Sequence, residues 1–577
     1  MISRLVSFAL GLLLVLLLGW PTSATLLEAL KSEDSSNGLA NAPLVPITSA
    51  ESEGATHRQL SLFINSVKLV SLTELIAFPI AIPLAFLVFR TNVRGRRGIL
   101  FLIILAALVP LPLHATSWIG GFGNLGRSQA LGARPLIAGL PGAAFVHAMA
   151  LLPLMVLILG VGFRGVETEL EEFALLHLPA WRVLLTVTLR RSLGAILAAA
   201  LSAAVLTAGD MTVTDLLQVR TYAEEAYLQY QLGRGPAFAS FVALPPLLLL
   251  GTLLFLSMRK LLQAEPERVL SWVRPEAKTW SLGRLRMPLS LAVFAVASVI
   301  FLVPLASLVW RAGRVGGQAA LGVAPSWSWT GFLGTLRRAT LDVGGSVLDD
   351  PIRSALVSGR WQDLSEGGPW VGRLRGSPLL ESAVWGGLGA FVAVVLAGGL
   401  AWKCREAGRW RVLSAGCIAL TLATPGPVAG MALVLAYHKV PLIYDTPLIL
   451  VCAFALRTYP YAFLILWPSV RLFPREPLES AIVDGAGEWM RIRRVVYPAA
   501  RSALAAAAGV TFVLAMGELP AVNLALPPGE TLLAVEIWSL LHTGVESHLA
   551  GVALISLATM SAGGFLCSKL LSRLGQE

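Results

Sequence analysis

Two acidic residues in apolar surroundings are the first candidates for chemistry. Asp210 and Glu518 each follow a glycine, Gly209 or Gly517, and stand 308 residues apart (518 − 210), late in apolar segments. An ionisable group in such a segment is costly, so it faces a cavity, a partner or a substrate. One carboxylate from each half of a chain could line a path for a hard cation, since hard cations prefer oxygen ligands. The alternative is that each acid pairs with a nearby cation or caps a broken helix. Arg457 and His147, at similar places ahead of two motif loops, read as structural partners rather than substrate contacts.

The 308-residue offset recurs in a longer pattern. From Glu479 the chain reads ESAIVDGAGEWMRIRRVVYP, and from Glu171 it reads EEFALLHLPAWRVLLTVTLR. Each copy opens on a Glu, carries a Trp ten residues later (Trp181, Trp489), and ends in a basic, Val-rich run. The second copy also has Gly485 and Pro498, where the first has His177 and Arg190. Placed on one helix, Ala481, Gly485, Trp489 and Ile492 form a stripe, matched by Phe173, His177, Trp181 and Leu184. An apolar helix face outside the spans needs a partner surface, and a helix laid in a groove is a standard recognition mode.

The elements that must hold these residues are set by composition. The chain has 577 residues, 56% hydrophobic and 14% charged, with a mean hydropathy of +0.73, which excludes an ordinary soluble domain. Runs near the ~20 residues needed to cross a bilayer recur at 5–20, 62–89, 98–117, 138–163, 193–213, 237–258, 287–310, 380–402, 412–436, 446–469, 501–522 and 548–568. The expected fold is therefore an all-α membrane protein of about twelve transmembrane helices. The net charge of +11 sits in short loops that alternate with basic-poor ones, the asymmetry of cytoplasmic loops. That places both termini and both motif loops in the cytoplasm and argues against nucleic acid as a partner. The N-terminal apolar run ending near Thr22-Ser23-Ala24 reads as a retained first span or a cleaved signal peptide. Cys404, Cys417, Cys452 and Cys567 lie in or beside spans, which leaves no disulfide framework.

The pattern from Glu479 is the EAA motif, E-A-A-x-x-x-G-x9-I-x-L-P, and it resembles the cytoplasmic coupling loop of ABC-transporter permeases. The resemblance implies two tandem six-helix permease units in the bacterial plasma (inner) membrane. The first is 1–265 with its loop at 171–190, the second 287–577 with its loop at 479–498 and an outer insertion at 311–379, and 259–286 is the cytoplasmic linker. It implies a cytoplasmic ABC ATPase dimer and a periplasmic or extracellular solute-binding protein as partners. Glu479, Ala481, Gly485, Trp489, Ile492 and Pro498, with Glu171, Phe173, His177, Trp181 and Leu184, become the ATPase-coupling residues. Gly485 matches a turn where backbones approach closely, and the two Glu residues would cap a helix or pair with a cation of the partner.

The chain has no G-x-x-x-x-G-K-[ST] and no Gly-Lys pair, so it is expected to be no enzyme and to bind no cofactor, with ATP and Mg²⁺ used by the partner ATPase. No zinc-spaced Cys/His cluster is present, and no metal site is expected. The segment GELPAVNLALPPGETLLAVEIW from Gly517 resembles that of fused permeases that import ferric iron, with thiamine importers a related alternative. A secondary transporter driven by an ion gradient is the reading from another class; it has no need of the EAA loop.

Overall fold

Proline and glycine decide where the apolar segments bend and stop. The computed structural model describes residues 10–24, 49–107, 109–123, 134–233, 240, 242–263, 279–316, 326–344, 377–405, 408–543 and 546–574. The first half holds α1 Leu10–Ala24, α2 Ser49–Arg90, α3 Arg96–Ala107, α4 Leu111–Phe122, α5 Gly139–Arg164 and α6 Thr168–Leu175. It continues with α7 Ala180–Arg191, α8 Leu193–Ala208, α9 Thr212–Leu216, α10 Tyr222–Gln231 and α11 Leu244–Gln263. The second half opens with α12 Arg286–Ala312, α13 Trp329–Gly344, α14 Pro378–Cys404, α15 Arg409–Ala423, α16 Gly426–Tyr437 and α17 Leu448–Arg471. There follow α18 Glu476–Val483, α19 Glu488–Ala499, α20 Arg501–Met516, α21 Val522–Ala525, α22 Leu533–Thr543 and α23 Glu546–Leu574.

The protein is an all-α, multi-pass membrane protein. Among the described residues the only sheet is a two-residue antiparallel pair, β1 Arg314–Val315 with β2 Ser326–Trp327. Among the described residues, six helices are long and apolar enough to cross a membrane by themselves. Four more candidates are bent pairs: α3–α4 at 99°, α7–α8 at 65°, α15–α16 at 109° and α19–α20 at 81°. Twelve spans result only if each bent pair, α1 and the shorter apolar stretch Ser547–Ala562 are all counted.

Two expected straight spans, 98–117 and 412–436, are broken. Pro110 and Pro425 take extended backbone at the N-caps of α4 and α16; proline offers no N–H and its ring clashes with the preceding turn. Two others, 193–213 and 501–522, end early at Ala208 and Met516, where Gly209 and Gly517 are the C-caps. The acids are therefore just past their helices rather than within them.

The core is divided differently from the sequence. One apolar cluster joins α2, α3, α5 and α8 and takes in Val293, Ala297 and Ile300 of α12. The other joins α14, α15 and α17 and takes in Leu10, Leu14, Leu17 and Leu18 of α1. Helix α1 is thus buried in the opposite half, while α12 packs near its start on the first half and at its end, through Leu308 and Ala312, on α13 and α23 of its own. The Trp20 indole donates to the Ala436 carbonyl at 2.8 Å and the Tyr437 hydroxyl to that of Leu16 at 2.6 Å, which ties α1 to α16. The expected boundaries 1–265 and 287–577 divide the chain in sequence, whereas packing carries α1 across and shares α12 between the two halves. Much of the expected linker 259–286 and of the insertion 311–379 lies outside the described residues.

Candidate functional site: two helical elbows and two capped carboxylates

Both motif loops fold as an elbow, and their boundaries agree residue for residue at the 308-residue offset (476 − 168). A short helix, α6 or α18, is followed by a turn and then by α7 or α19. Each second helix contains one wide turn, Leu184–Thr188 or Ile492–Val496, before bending into α8 or α20. The expected single stripe is corrected here: Ala481 lies on α18, Gly485 in the turn, and Trp489 and Ile492 on α19. Phe173, His177, Trp181 and Leu184 are split in the same way.

The reason for the break is local. Gly485 has φ +78°; its N–H donates to the Ile482 carbonyl at 2.9 Å and that of Ala486 to the Ala481 carbonyl at 2.8 Å. These two bonds make a Schellman cap, which ends a helix on a left-handed residue and favours glycine. A Cβ at Gly485 would meet nothing within 4 Å, so the backbone conformation, not a close approach within this chain, selects glycine. The first elbow turns without a left-handed residue: the His177 and Leu178 N–H groups both donate to the Ala174 carbonyl, at 3.1 and 2.8 Å.

The opening glutamates differ as well. Glu171 is fully buried, ion-paired with the fully buried Arg90 at the end of α2, and it accepts from the Thr188 hydroxyl at 2.6 Å. It cannot meet a cation of another protein, which corrects that expectation. Glu479 is exposed. The second elbow is held instead through Glu488, which accepts from Lys403 Nζ at 2.6 Å and Trp402 Nε1 at 2.8 Å at the end of α14. Neither Arg90 nor the Lys403–Trp402 pair was singled out by sequence as an anchor; the only signal was a basic residue at the end of each long span.

Around these anchors each elbow presents apolar side chains to the outside. Phe173, Leu176 and Trp181 (58% exposed) project from the first, and Ile482, Val483 (87%), Trp489 (51%) and Met490 from the second. His177 and Pro498 are exposed, and Leu184, Ala481 and Ile492 are half-buried.

The two carboxylates lie one helix beyond the elbows; the 16 residues of α8 and of α20 each span about 24 Å at ~1.5 Å per residue. Asp210 is buried. Its Oδ1 accepts from the Thr212 N–H at 3.0 Å, its Oδ2 from that of Val213 at 2.9 Å, and His147 Nε2 stands 3.2 Å from Oδ2. Glu518 Oε1 accepts from the Ala521 N–H at 3.2 Å and lies 3.5 Å from Arg457 Nε, while Arg457 Nη1 donates to the Thr424 carbonyl at 2.9 Å. Each acid therefore caps the turn that follows it and faces one basic side chain, so its cost is met within the chain. This is the pairing-and-capping arrangement, with both Asp210 oxygens engaged inside the chain.

The neighbouring glycines make reciprocal contacts between halves. A Cβ on Gly517 would lie 2.7 Å from Pro110 Cβ, and one on Gly209 would lie 3.8 Å from Pro425 Cα. Each glycine–acid turn thus abuts the broken helix of the opposite half. Discontinuous helices meeting across a repeat interface mark the substrate region of many transporters.

Residues 389–573 match the family described as binding-protein-dependent transport system inner membrane component. The match contains the second elbow and Glu518, and leaves the first elbow and Asp210 outside. The chain is also similar to a probable molybdenum ABC transporter permease protein of Haloferax volcanii, 32% identical over 110 residues, 19% of this chain and 40% of that protein. A putative 2-aminoethylphosphonate transport system permease protein of Salmonella typhimurium is 26% identical over 159 residues, 27% of this chain and 60% of its own length. The inner membrane ABC transporter permease protein YcjO of Escherichia coli is 36% identical over 80 residues, 13% of this chain and 27% of its own. The chain thus spans less than two thirds of the length of these curated relatives.

Proposed function

We propose that the chain is the permease subunit of an ATP-driven importer, two six-helix units in tandem around a path at their interface. The observation that carries this reading is the pair of elbows, identical in element boundaries and each presenting an exposed aromatic ridge on an anchored base. In this reading the ridges sit in clefts of a cytoplasmic ATPase dimer that uses ATP and Mg²⁺, and the chain itself is not an enzyme. A solute-binding protein delivers substrate from the other face of the plasma membrane, and both termini are cytoplasmic. Trp181→Ala with Trp489→Ala tests it: the protein should stay in the membrane and lose co-purification with its ATPase. Full-yield co-purification with unaltered ATP-dependent uptake would overturn the coupling role.

Ferric iron is the substrate we favour from the resemblance of 517–534 to iron-importing permeases. Part of that segment also serves packing: a Cβ on Gly426 would lie 2.3 Å from Pro520 Cβ, one on Gly430 would lie 2.5 Å from the Ala521 carbonyl oxygen, and the Thr531 N–H donates to Glu381 at 2.6 Å. The relatives' names favour a second reading, a small oxyanion or phosphonate. Uptake of radioactive iron and of radioactive molybdate by cells with and without the chain separates them. Iron uptake independent of the chain sinks the first reading.

A further inference from the structure

We propose that α13 is an interfacial helix, seated in the lipid headgroup layer at the end of α12 remote from Arg284 and Arg286. This surface lies outside the elbows and the central turns, and the inference does not rest on the transport reading.

The helix is amphipathic. Thr335, Ala339 and Val343 are buried, and a Cβ on Gly551 of α23 would lie 3.0 Å from both Thr335 and Ala339 side chains. About a quarter-turn round the helix from that face, Trp329 (68% exposed) and Leu333 (60%), with the half-buried Leu336 and the exposed Thr340, follow the i, i+4, i+7, i+11 spacing of one stripe. Arg337 is exposed beside the stripe and Arg338 is exposed on the far side of the helix. Val315 of β1 packs on the helix at Gly331, where a Cβ would lie 2.6 Å from its Cγ2.

Its level along the spans comes from three contacts. The Trp327 indole donates to the Val309 carbonyl in the last turns of α12, at 3.2 Å. Gly551 faces Thr335 and Ala339, and Asp342 Oδ2 lies 3.3 Å from His548 Nε2. Arg337, Arg338 and Asp342 lie within the 16 residues of α13, and it is not among the helices long and apolar enough to cross a membrane, so it packs beside the end of α23 without being a span itself.

Continuity with the bilayer identifies the occupant. Leu291, Phe294, Val299 and Leu302 of α12 are exposed along a span, the condition of a lipid-facing stripe, and Trp327 sits where that stripe ends at Val309. Just beyond it come an indole, a leucine and two arginines. Tryptophan is enriched at the boundary between hydrocarbon and headgroups, and guanidinium pairs bidentately with phosphate. A helix with an apolar stripe and a basic flank lies in that plane.

The test is spin labelling of the full chain in vesicles of phosphatidylethanolamine and phosphatidylglycerol. Labels at Trp329→Cys and Leu333→Cys, with the native cysteines replaced by alanine, should collide several-fold more with oxygen than with a water-soluble nickel complex. A label at Arg338→Cys should show the reverse. Equal nickel access at 329 and 333 overturns the proposal, as does shielding that appears only when a protein partner is added. With the native cysteines kept, Trp329→Phe should reduce the tryptophan fluorescence quenched by lipids brominated near the headgroup; unchanged quenching overturns it independently.

Discussion

The two elbows share every helix boundary yet are held by opposite means. In the first, a fully buried pair, Arg90 and Glu171, fixes the base from inside and the turn needs no glycine. In the second, the homologous glutamate is exposed, the turn depends on the left-handed Gly485, and a half-buried contact from Glu488 to Lys403 and Trp402 ties the elbow to α14. A repeated shape can therefore rest on electrostatics in one copy and on backbone conformation in the other. The comparison also shows why the motif is clear in one copy and blurred in the other. In these open turns glycine is favoured only where φ is positive, and His177 is not in that conformation.

The largest expected effect tests the buried pair. Glu171→Ala leaves Arg90 buried and unpaired, a loss of about 3–5 kcal/mol, and should sharply lower the apparent melting temperature in detergent. Glu479→Ala should change it within about 0.5 kcal/mol. Equal effects at the two sites would erase the distinction between the elbows. Replacing both Arg90 and Glu171 with methionine should recover much of the loss, since neither charge is then stranded.

Next in size is the turn. Gly485→Ala should cost about 1–2 kcal/mol, because a Cβ disfavours the left-handed conformation, with no clash added. It should raise proteolysis of the second elbow and weaken ATPase association, while His177→Gly alters either measurement little. A larger effect from His177→Gly would mean that the first turn relies on its side chain. Smaller again, Glu488→Gln removes one charge from a partly buried contact and should weaken anchoring of α19 by about 1 kcal/mol, read as faster hydrogen exchange in α18–α19 alone.

The smallest effect sharpens the contrast between halves at another place. Glu224 and Glu225 lie in the first turn of α10, where the 308-residue offset puts Leu532 and Leu533; all four are buried. Burial pushes Glu224 up to about 7, with Glu225 and Asp215 adding to it and Arg220 opposing. A carboxyl raised in the folded state contributes stability below its unfolded value that is lost as pH rises through about 7. The melting temperature should therefore fall between pH 5 and 8, and Glu224→Gln should flatten that slope. An unchanged slope would remove Glu224 as its source.

Much of the architecture was legible in the chain because the bilayer constrains it so strongly: a span must be long and apolar, and a repeat in hydropathy is a repeat in helices. The second motif was legible because Gly485, Trp489 and Pro498 keep a fixed order. The broken spans were half legible, since Pro110 and Pro425 stood in plain view inside apolar runs that membrane helices often tolerate.

What the sequence by itself determined was the helical membrane class, the 308-residue repeat and the positions of the two motif loops, though not their bend; each follows from local hydropathy and spacing. Tertiary structure alone decided the rest. It paired Glu171 with Arg90, turned Asp210 and Glu518 into caps facing His147 and Arg457, carried α1 into the opposite core, and set Gly209 and Gly517 against Pro425 and Pro110. These are contacts between residues tens to hundreds of positions apart. Their partners are selected by competition among all surfaces the folded chain brings together, and no local pattern records the outcome.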